Sequence, residues 1–160
     1  MLFRSHWDYS PSTQQHKALR DQLKLAREVN LPVVFHAREA YSDLLDVLEK
    51  QEPHRYLFHC WAGNIDEARR ALRLGAYFGV DGPVTYKKAD ELRAVIKFIP
   101  PHKLVLETDS PYMSPHPHRG EQNRPSYIPL ILRVVAELHG KTETEMAEQI
   151  ETNVKDFFGI

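Results

Sequence analysis

The sequence predicts an α/β protein with a parallel sheet of about four strands and flanking helices. Short apolar runs of strand length alternate, four times in succession, with longer segments of helical periodicity. The apolar runs are continuous and do not alternate with polar residues, which is typical of strands covered on both faces. Each run is separated from the next by a segment long enough for a crossover helix, as parallel neighbours require.

Four apolar runs are predicted to be the strands. In chain order they span residues 31–35, 56–58, 76–80 and 104–106. Pro32 lies at the start of the first strand, where its missing N–H is tolerated. The third run is followed by Asp81-Gly-Pro83 and the fourth, a few residues later, by Ser110-Pro111. Such residues favour turns, so both runs are predicted to end there.

The intervening segments are predicted to be helices. They cover about residues 12–29, 39–50, 64–74, 88–98, 127–138 and 142–157. In the first helix, Leu19, Leu23 and Ala26 recur at helical spacing, so one of its faces is apolar. Asn64 and Glu67 form a capping-box pattern at the start of the third helix.

The composition limits the class of protein. A chain of 160 residues is long enough for one domain with a hydrophobic core, so residues 1–160 are predicted to form a single domain. The formal net charge of -1 gives no bulk attraction to nucleic acid or membrane, although a local basic patch is sufficient for nucleic acid. No apolar run approaches the roughly 20 residues of a membrane span. The single cysteine favours a reducing compartment and hence a cytoplasmic location.

Three predicted strands lead into side chains that bind metals. They are His36, His59 and Asp109. Functional groups of parallel α/β folds gather at the C-terminal ends of strands, and the alternation of side chains allows these three to converge. Two imidazoles and a carboxylate suit Zn²⁺, Mn²⁺ or a similar ion, and a carboxylate beside a metal can take a proton from water. A lone histidine at a strand end is more often a structural, hydrogen-bonded residue, and that alternative stays open. By the same alternation Glu107 is predicted to support the site by hydrogen bonds, and Cys60 to pack away from it.

The residues around these positions form four ordered motifs. They are Phe35-His-Ala-Arg38, Phe58-His-Cys-Trp-Ala-Gly63, Leu106-Glu-Thr-Asp-Ser-Pro-Tyr112 and Pro117-His-Arg-Gly-Glu-Gln-Asn-Arg-Pro125. They resemble the H-x-R, H-C-[FW]-x-G, E-T-D-x-P-Y and P-x-R-G-x-x-N-x-P signatures of TatD-type metal-dependent deoxyribonucleases, a family similar to the amidohydrolases. The ending Asn153-Val-Lys-Asp-Phe-Phe158 resembles the N-x-x-x-x-F tail of that family.

The resemblance implies that this chain is the C-terminal half of a (β/α)8 TIM barrel with a centre of two divalent ions, Mg, Mn or Zn. It implies that His36 and His59 bind one ion, and that Asp109 binds the other and helps to activate the attacking water. The implied reaction is hydrolysis of DNA phosphodiester bonds, for which a two-metal centre is suited. DNA is therefore the expected partner, and no membrane partner is expected.

Four further residues are candidates for contact with DNA. Arg38 follows His36 by two positions, where it contacts a phosphate or, alternatively, forms a surface ion pair. Arg119 and Arg124 of the fourth motif are predicted to reach the DNA backbone. Trp61 is predicted to stack on a base, with packing beneath the loop as the alternative.

Two parts of the family pattern are missing from the sequence. A (β/α)8 barrel typically needs about 250 residues. The H-x-H of the first strand and the bridging glutamate of the fourth strand are absent, and His6-Trp-Asp-Tyr-Ser-Pro11 resembles the family segment just after that glutamate. His116-Pro-His118 is an H-x-H, but it lies in a proline-rich loop and is not predicted to replace the lost pair.

This departure leaves three hypotheses. The chain is a metal-dependent deoxyribonuclease, or a catalytically incompetent half-barrel, or a related amidohydrolase that acts on small esters or amides. A truncated barrel exposes the edges of its outer strands, which are templates for pairing with another chain. We therefore expect either a homo-oligomer or association with an N-terminal complement that closes the barrel.

Overall fold

The five strands of the sheet all run parallel, and the sheet order is the same as the chain order, β1-β2-β3-β4-β5. The computed structural model describes residues 2–4 and 11–160. The strands are β1 Leu2–Arg4, β2 Val33–Arg38, β3 Tyr56–His59, β4 Tyr77–Val80 and β5 Leu104–Leu106. Strands β2 to β5 confirm the four predicted runs. The sequence analysis missed β1, since three residues are too few to show a period.

The connections between strands are helical. The helices are α1 Ser12–Glu28, α2 Tyr41–Leu48, α3 Ile65–Arg73, α4 Asp90–Phe98, α5 Ile128–Leu138 and α6 Glu143–Phe158. Asn64 and Glu67 form the predicted capping box of α3, each side chain accepting a hydrogen bond from the other's backbone N–H, at 2.9 and 2.8 Å. None of the helices in the described ranges is long and apolar enough to cross a membrane. Repeated βα units in sequential order are the geometry of a (β/α) barrel, as predicted.

Strand β2 shows how the two faces of the sheet differ. Val33, Phe35 and Ala37 are buried and belong to the large hydrophobic core between the sheet and the helices. The alternate residues Val34 and His36 lie on the opposite face, where Val34 is 36% exposed. This second face is the one that points to the interior of a complete barrel, and it carries the candidate site.

Helix α6 covers the part of this interior face that lies towards the N-terminal ends of the strands. Phe157, near its end, is fully buried against Leu57 of β3 and Val105 of β5. Asn153, one turn earlier, donates two hydrogen bonds from Nδ2, to the carbonyl oxygens of Pro101 (2.7 Å) and Leu104 (2.6 Å). Together they fix α6 to the N-terminal end of β5, so the opposite end of the face is the one that stays accessible.

Candidate metal centre

His36 and His59 lie side by side at the C-terminal edge of the sheet. Strands β2 and β3 pair in a parallel register that sets His36 directly opposite His59, and the centroids of the two rings are 5.5 Å apart. Both side chains project to the interior face because each follows a core residue by one position. The two histidines that the sequence analysis selected are therefore neighbours in the folded chain.

Glu107 holds His59 in place. Its Oε2 is 3.0 Å from His59 Nδ1, and its Oε1 accepts a hydrogen bond from the backbone N–H of Cys60. Gly79 of the neighbouring strand leaves the space for this carboxylate, since a Cβ there would overlap it. The contact favours a proton on His59 Nδ1 and a free lone pair on Nε2, the arrangement that a carboxylate behind a metal-binding histidine produces. The hydrogen bond to Glu107 also raises the pKa of His59.

Asp109 faces the other nitrogen of His59. Its Oδ1 is 3.6 Å from His59 Nε2. Asp109 has a φ of 55°, a left-handed conformation that Asp adopts more readily than most residues and that turns the chain sharply after β5. The buried Asn123 fixes this turn by donating from Nδ2 to the carbonyl oxygens of Thr108 (2.6 Å) and Tyr112 (2.7 Å). Asn123 belongs to the fourth motif of the sequence, but nothing in that motif alone predicts this role.

His59 Nε2 and Asp109 Oδ1 are suited to bind a divalent ion, but they supply only part of its coordination shell. Two ligands that are each about 2.1 Å from a shared ion lie about 3.0 to 3.4 Å apart, close to the 3.6 Å between His59 Nε2 and Asp109 Oδ1. A neutral imidazole and a carboxylate are suitable ligands for Zn²⁺ or Mn²⁺. Within residues 2–4 and 11–160, however, no three His, Cys, Asp or Glu side chains converge as a complete metal site. His36 lies beside the pair without closing such a cluster.

Asp81 is a buried carboxyl group at the same edge, and sequence analysis did not select it as a site residue. It comes directly after β4, is 3% exposed, and its Oδ2 has no hydrogen-bond partner among the described residues. Burial is the main cause that raises the pKa of Asp81 to about 6. A hydrogen bond from the Cys60 thiol acts in the opposite direction and lowers this pKa. Cys60 thus points towards Asp81 and does more than pack, and burial raises the pKa of its thiol. Asp81 ends an apolar strand as His59 does, which is the signal that would have found it.

The predicted DNA-contacting residues fall into two groups. The three arginines Arg38, Arg119 and Arg124 are exposed, as a contact with substrate requires. Trp61 is 2% exposed, and its ring packs against those of Tyr41 (centroid distance 4.5 Å) and Phe78 (4.8 Å). The structure therefore does not support base stacking for Trp61, because its neighbours already occupy the ring faces and edges; packing is its role.

The role of Glu107 can be measured on the histidine it contacts. In the metal-free protein, Glu107→Gln is expected to lower the pKa of His59 towards the ordinary value, since a neutral amide no longer stabilises the imidazolium. An NMR titration of the histidine ring protons checks this. Glu121→Gln is the matched control, because Glu121 Oε2 lies 3.1 Å from the ring nitrogen Nδ1 of His118 in a separate pair. An unchanged His59 titration in Glu107→Gln would contradict the assignment.

Fold and site together define a class: barrel-type α/β proteins with His and Asp side chains, of the kind that can bind metals, at the C-terminal edge of a parallel sheet. Residues 3–159 match the family model described as TatD related DNase. The chain belongs to the TatD-related DNase family.

Similar proteins agree with this assignment. An uncharacterised metal-dependent hydrolase of Bacillus subtilis (strain 168), YabD, is 39% identical over 157 residues, which cover 97% of this chain and 62% of the relative. A 3'-5' ssDNA/RNA exonuclease TatD of Escherichia fergusonii is 33% identical over 160 residues, covering 96% of this chain and 62% of the relative. The crystal structure of YJJV, a TatD homolog from Escherichia coli K12, superposes with a TM-score of 0.85 at 31% identity, covering 96% of this chain and 61% of that one. The chain therefore spans about three fifths of the length of these relatives.

Proposed function

We propose that this chain provides the site of a metal-dependent hydrolase that cleaves phosphodiester bonds of DNA. The observation that carries the proposal is the alignment of Glu107, His59 and Asp109. Glu107 fixes one nitrogen of the imidazole at 3.0 Å, and the other nitrogen faces the Asp109 carboxylate at 3.6 Å. An imidazole held by a carboxylate and aimed at a second carboxylate is suited to bind a cation and to handle protons at the same point.

Each residue of the site would have a separate role in hydrolysis. His59 Nε2 and an Asp109 oxygen would hold a divalent ion, with His36 beside them. The resemblance to the family instead assigns His36 and His59 to one ion and Asp109 to a second. When bound, such an ion polarises a phosphate oxygen and lowers the pKa of water. Asp109 would also accept a proton from the attacking water, the role of a carboxylate as general base. Glu107 keeps the His59 ring in its orientation and tautomer throughout.

Arginine side chains near the site supply the affinity for phosphate. Arg38, Arg119 and Arg124 form no ion pair with any carboxylate that the structure describes, in contrast to Arg70 with its two acidic partners. Guanidinium groups without a carboxylate partner are available to phosphate oxygens. Arg38 lies two residues beyond His36 on β2 and so extends from the same face.

A second candidate is a half-barrel that does not hold metal by itself. The observation that favours it is the lack of a converging three-ligand group within the described residues. In this case a second copy or an N-terminal complement adds the remaining ligands by pairing with the edge strands β1 and β5. We keep the cytoplasmic location as part of the proposal, on the grounds of the single free cysteine.

Asp109→Ala tests the proposed function. The purified chain is incubated with single-stranded DNA and Mg²⁺ or Mn²⁺, and we expect cleavage that falls to background in Asp109→Ala. Asp43→Ala, which removes an exposed carboxylate from α2, is the control and should cleave like the unmodified chain. Calorimetric titration with Mn²⁺ provides a readout independent of turnover. Cleavage that survives Asp109→Ala, or turnover of small esters but not of DNA, would refute the proposal. If the unmodified chain neither cleaves DNA nor binds Mn²⁺, the result would favour the half-barrel.

A further inference from the structure

The loops after β4 and β5 are joined into one unit at the edge of the sheet that carries His59 and Asp109. The backbone N–H of His116 donates to Thr85 Oγ1 at 2.7 Å, and the Arg119 guanidinium lies over the ring of Tyr86, 4.5 Å from its centroid. Gly82 makes the close approach possible, since a Cβ there would overlap the carbonyl oxygen of Met113. The relative positions of the side chains on these two loops are therefore fixed by contacts.

A pocket of about 630 Å³ lies between the two loops. Its polar lining is basic and aromatic, and consists of Tyr86, Lys87, Lys88, His116 and Arg119. None of the described residues that line it is an Asp or a Glu. The chain as a whole has a formal net charge of -1, so this pocket is a local departure from the average. We call it the basic pocket.

The three cations of the basic pocket are not neutralised within the protein. Lys87, Lys88 and Arg119 have no carboxylate within ion-pair distance among the residues that the structure describes, and both lysines are exposed. On the neighbouring helix α4 the situation is different, since Arg93 is paired with Asp90 at 2.6 Å. Unpaired cations that share a concave surface raise the local positive potential and attract anions.

We infer that the basic pocket binds a phosphate of the nucleic-acid strand that lies outside the reacting bond. The inference rests on the proposed function, because it assumes that the substrate is a polyanion with phosphates beyond the one that is cleaved. The pocket shares the C-terminal edge of the sheet with Asp109, and the loop after Asp109 also supplies His116 and Arg119. This shared loop places the pocket where the inferred strand, bound at the metal centre, would extend beyond the reacting bond. Tyr86, held by Arg119, adds an aromatic surface of the kind that accompanies phosphate contacts in single-strand binding sites.

The inference predicts a salt-dependent contribution of the two lysines to DNA binding. Binding of a fluorescein-labelled single-stranded oligonucleotide is followed by anisotropy in EDTA, over a range of salt concentrations. We expect Lys87→Ala/Lys88→Ala to weaken binding roughly tenfold at low salt. The slope of log K against log salt is expected to become shallower by about 0.7, because the pocket holds one phosphate and each phosphate contact on a single strand contributes about 0.7.

A matched control separates this effect from the general loss of positive charge. Lys50→Ala/Lys97→Ala removes two exposed lysines that lie at the ends of α2 and α4, at the opposite edge of the sheet. It is expected to bind the oligonucleotide within twofold of the unmodified chain. Equal weakening in both double variants would overturn the basic pocket. Competition by inorganic phosphate at the same phosphate concentration as the oligonucleotide would also overturn it, because a site for a single free phosphate does not track a strand.

The two proposals fail in different ways. Asp109→Ala is expected to lose cleavage, and in that background Lys87→Ala/Lys88→Ala should still weaken oligonucleotide binding and make its salt dependence shallower. Cleavage that depends on Asp109, combined with binding that is indifferent to Lys87 and Lys88, would overturn the basic pocket alone. Binding that depends on the two lysines in a chain that never cleaves DNA would support the basic pocket and count against the proposed function.

Discussion

Phe157→Ala is expected to lower the free energy of unfolding by about 3–5 kcal/mol, the range for truncating a buried aromatic residue. Phe157 is fully buried on the interior face of the sheet, against Leu57 and Val105, and its ring centroid is 5.4 Å from that of Tyr77. The truncation leaves a cavity between α6 and the sheet, and it exposes apolar strand surface that no other described helix covers. Urea denaturation followed by circular dichroism measures the change.

The adjacent Phe158 provides the control. It has the same side chain on the same helix, but it is 46% exposed. Phe158→Ala is expected to cost less than about 1 kcal/mol, as is usual for changes at the surface. Equal losses in the two variants would show that the end of α6 acts through helix stability and not through its contact with the sheet.

The tail of the chain also shows the limit of motif reading. The pattern N-x-x-x-x-F pairs Asn153 with Phe158, five residues later. Side chains four residues apart share a helix face, and the structure accordingly buries Asn153 together with Phe157. The motif located the right segment, and helix geometry selects the residue that packs.

The strands and the candidate ligands were predictable because both depend on local sequence. Continuous apolar runs predicted β2 to β5, and the polar residues at their ends pointed to His36, His59 and Asp109. The side-chain contacts between neighbouring strands could not be predicted from the sequence in the same way. That Glu107 reaches both His59 and the backbone of Cys60 depends on the room above Gly79 in the strand between them, which only the folded sheet defines.

Burial was the other quantity that local sequence could not supply. Trp61 stands two residues after His59 and by position alone could face either the substrate or the core. The structure places it among the rings of Tyr41, Phe58 and Phe78, because the chain turns inward after the positive φ of 49° at Cys60. One backbone angle thus decides between a binding role and a packing role.

Asp81→Asn is expected to stabilise the chain at pH 8 by up to about 3 kcal/mol. The pKa of Asp81 is about 6 in the folded protein, against an ordinary value of 3.8. Each pKa unit corresponds to about 1.4 kcal/mol. Burial is the main cause of the shift, since it disfavours the charged form. The neutral amide of the asparagine avoids that cost, although it also changes the contact with the Cys60 thiol.

The decisive measurement for Asp81 is how the difference in free energy of unfolding between Asp81→Asn and the unmodified chain changes with pH. Between pH 4 and 6 the folded protein holds a proton that the unfolded chain has released, so the stability contributed by Asp81 falls as the pH rises. Above pH 6 the penalty is constant, and below pH 4 both states are protonated and the penalty is absent. The gain from Asp81→Asn should therefore be largest at pH 7–8 and vanish near pH 4 in urea unfolding at each pH. Asp43→Asn, at an exposed position of α2, is the control and should show no comparable gain at pH 7–8. A gain for Asp81→Asn that does not vary with pH would mean that the carboxyl group of Asp81 has the same pKa in the folded and the unfolded protein, and would contradict the cost assigned to its burial.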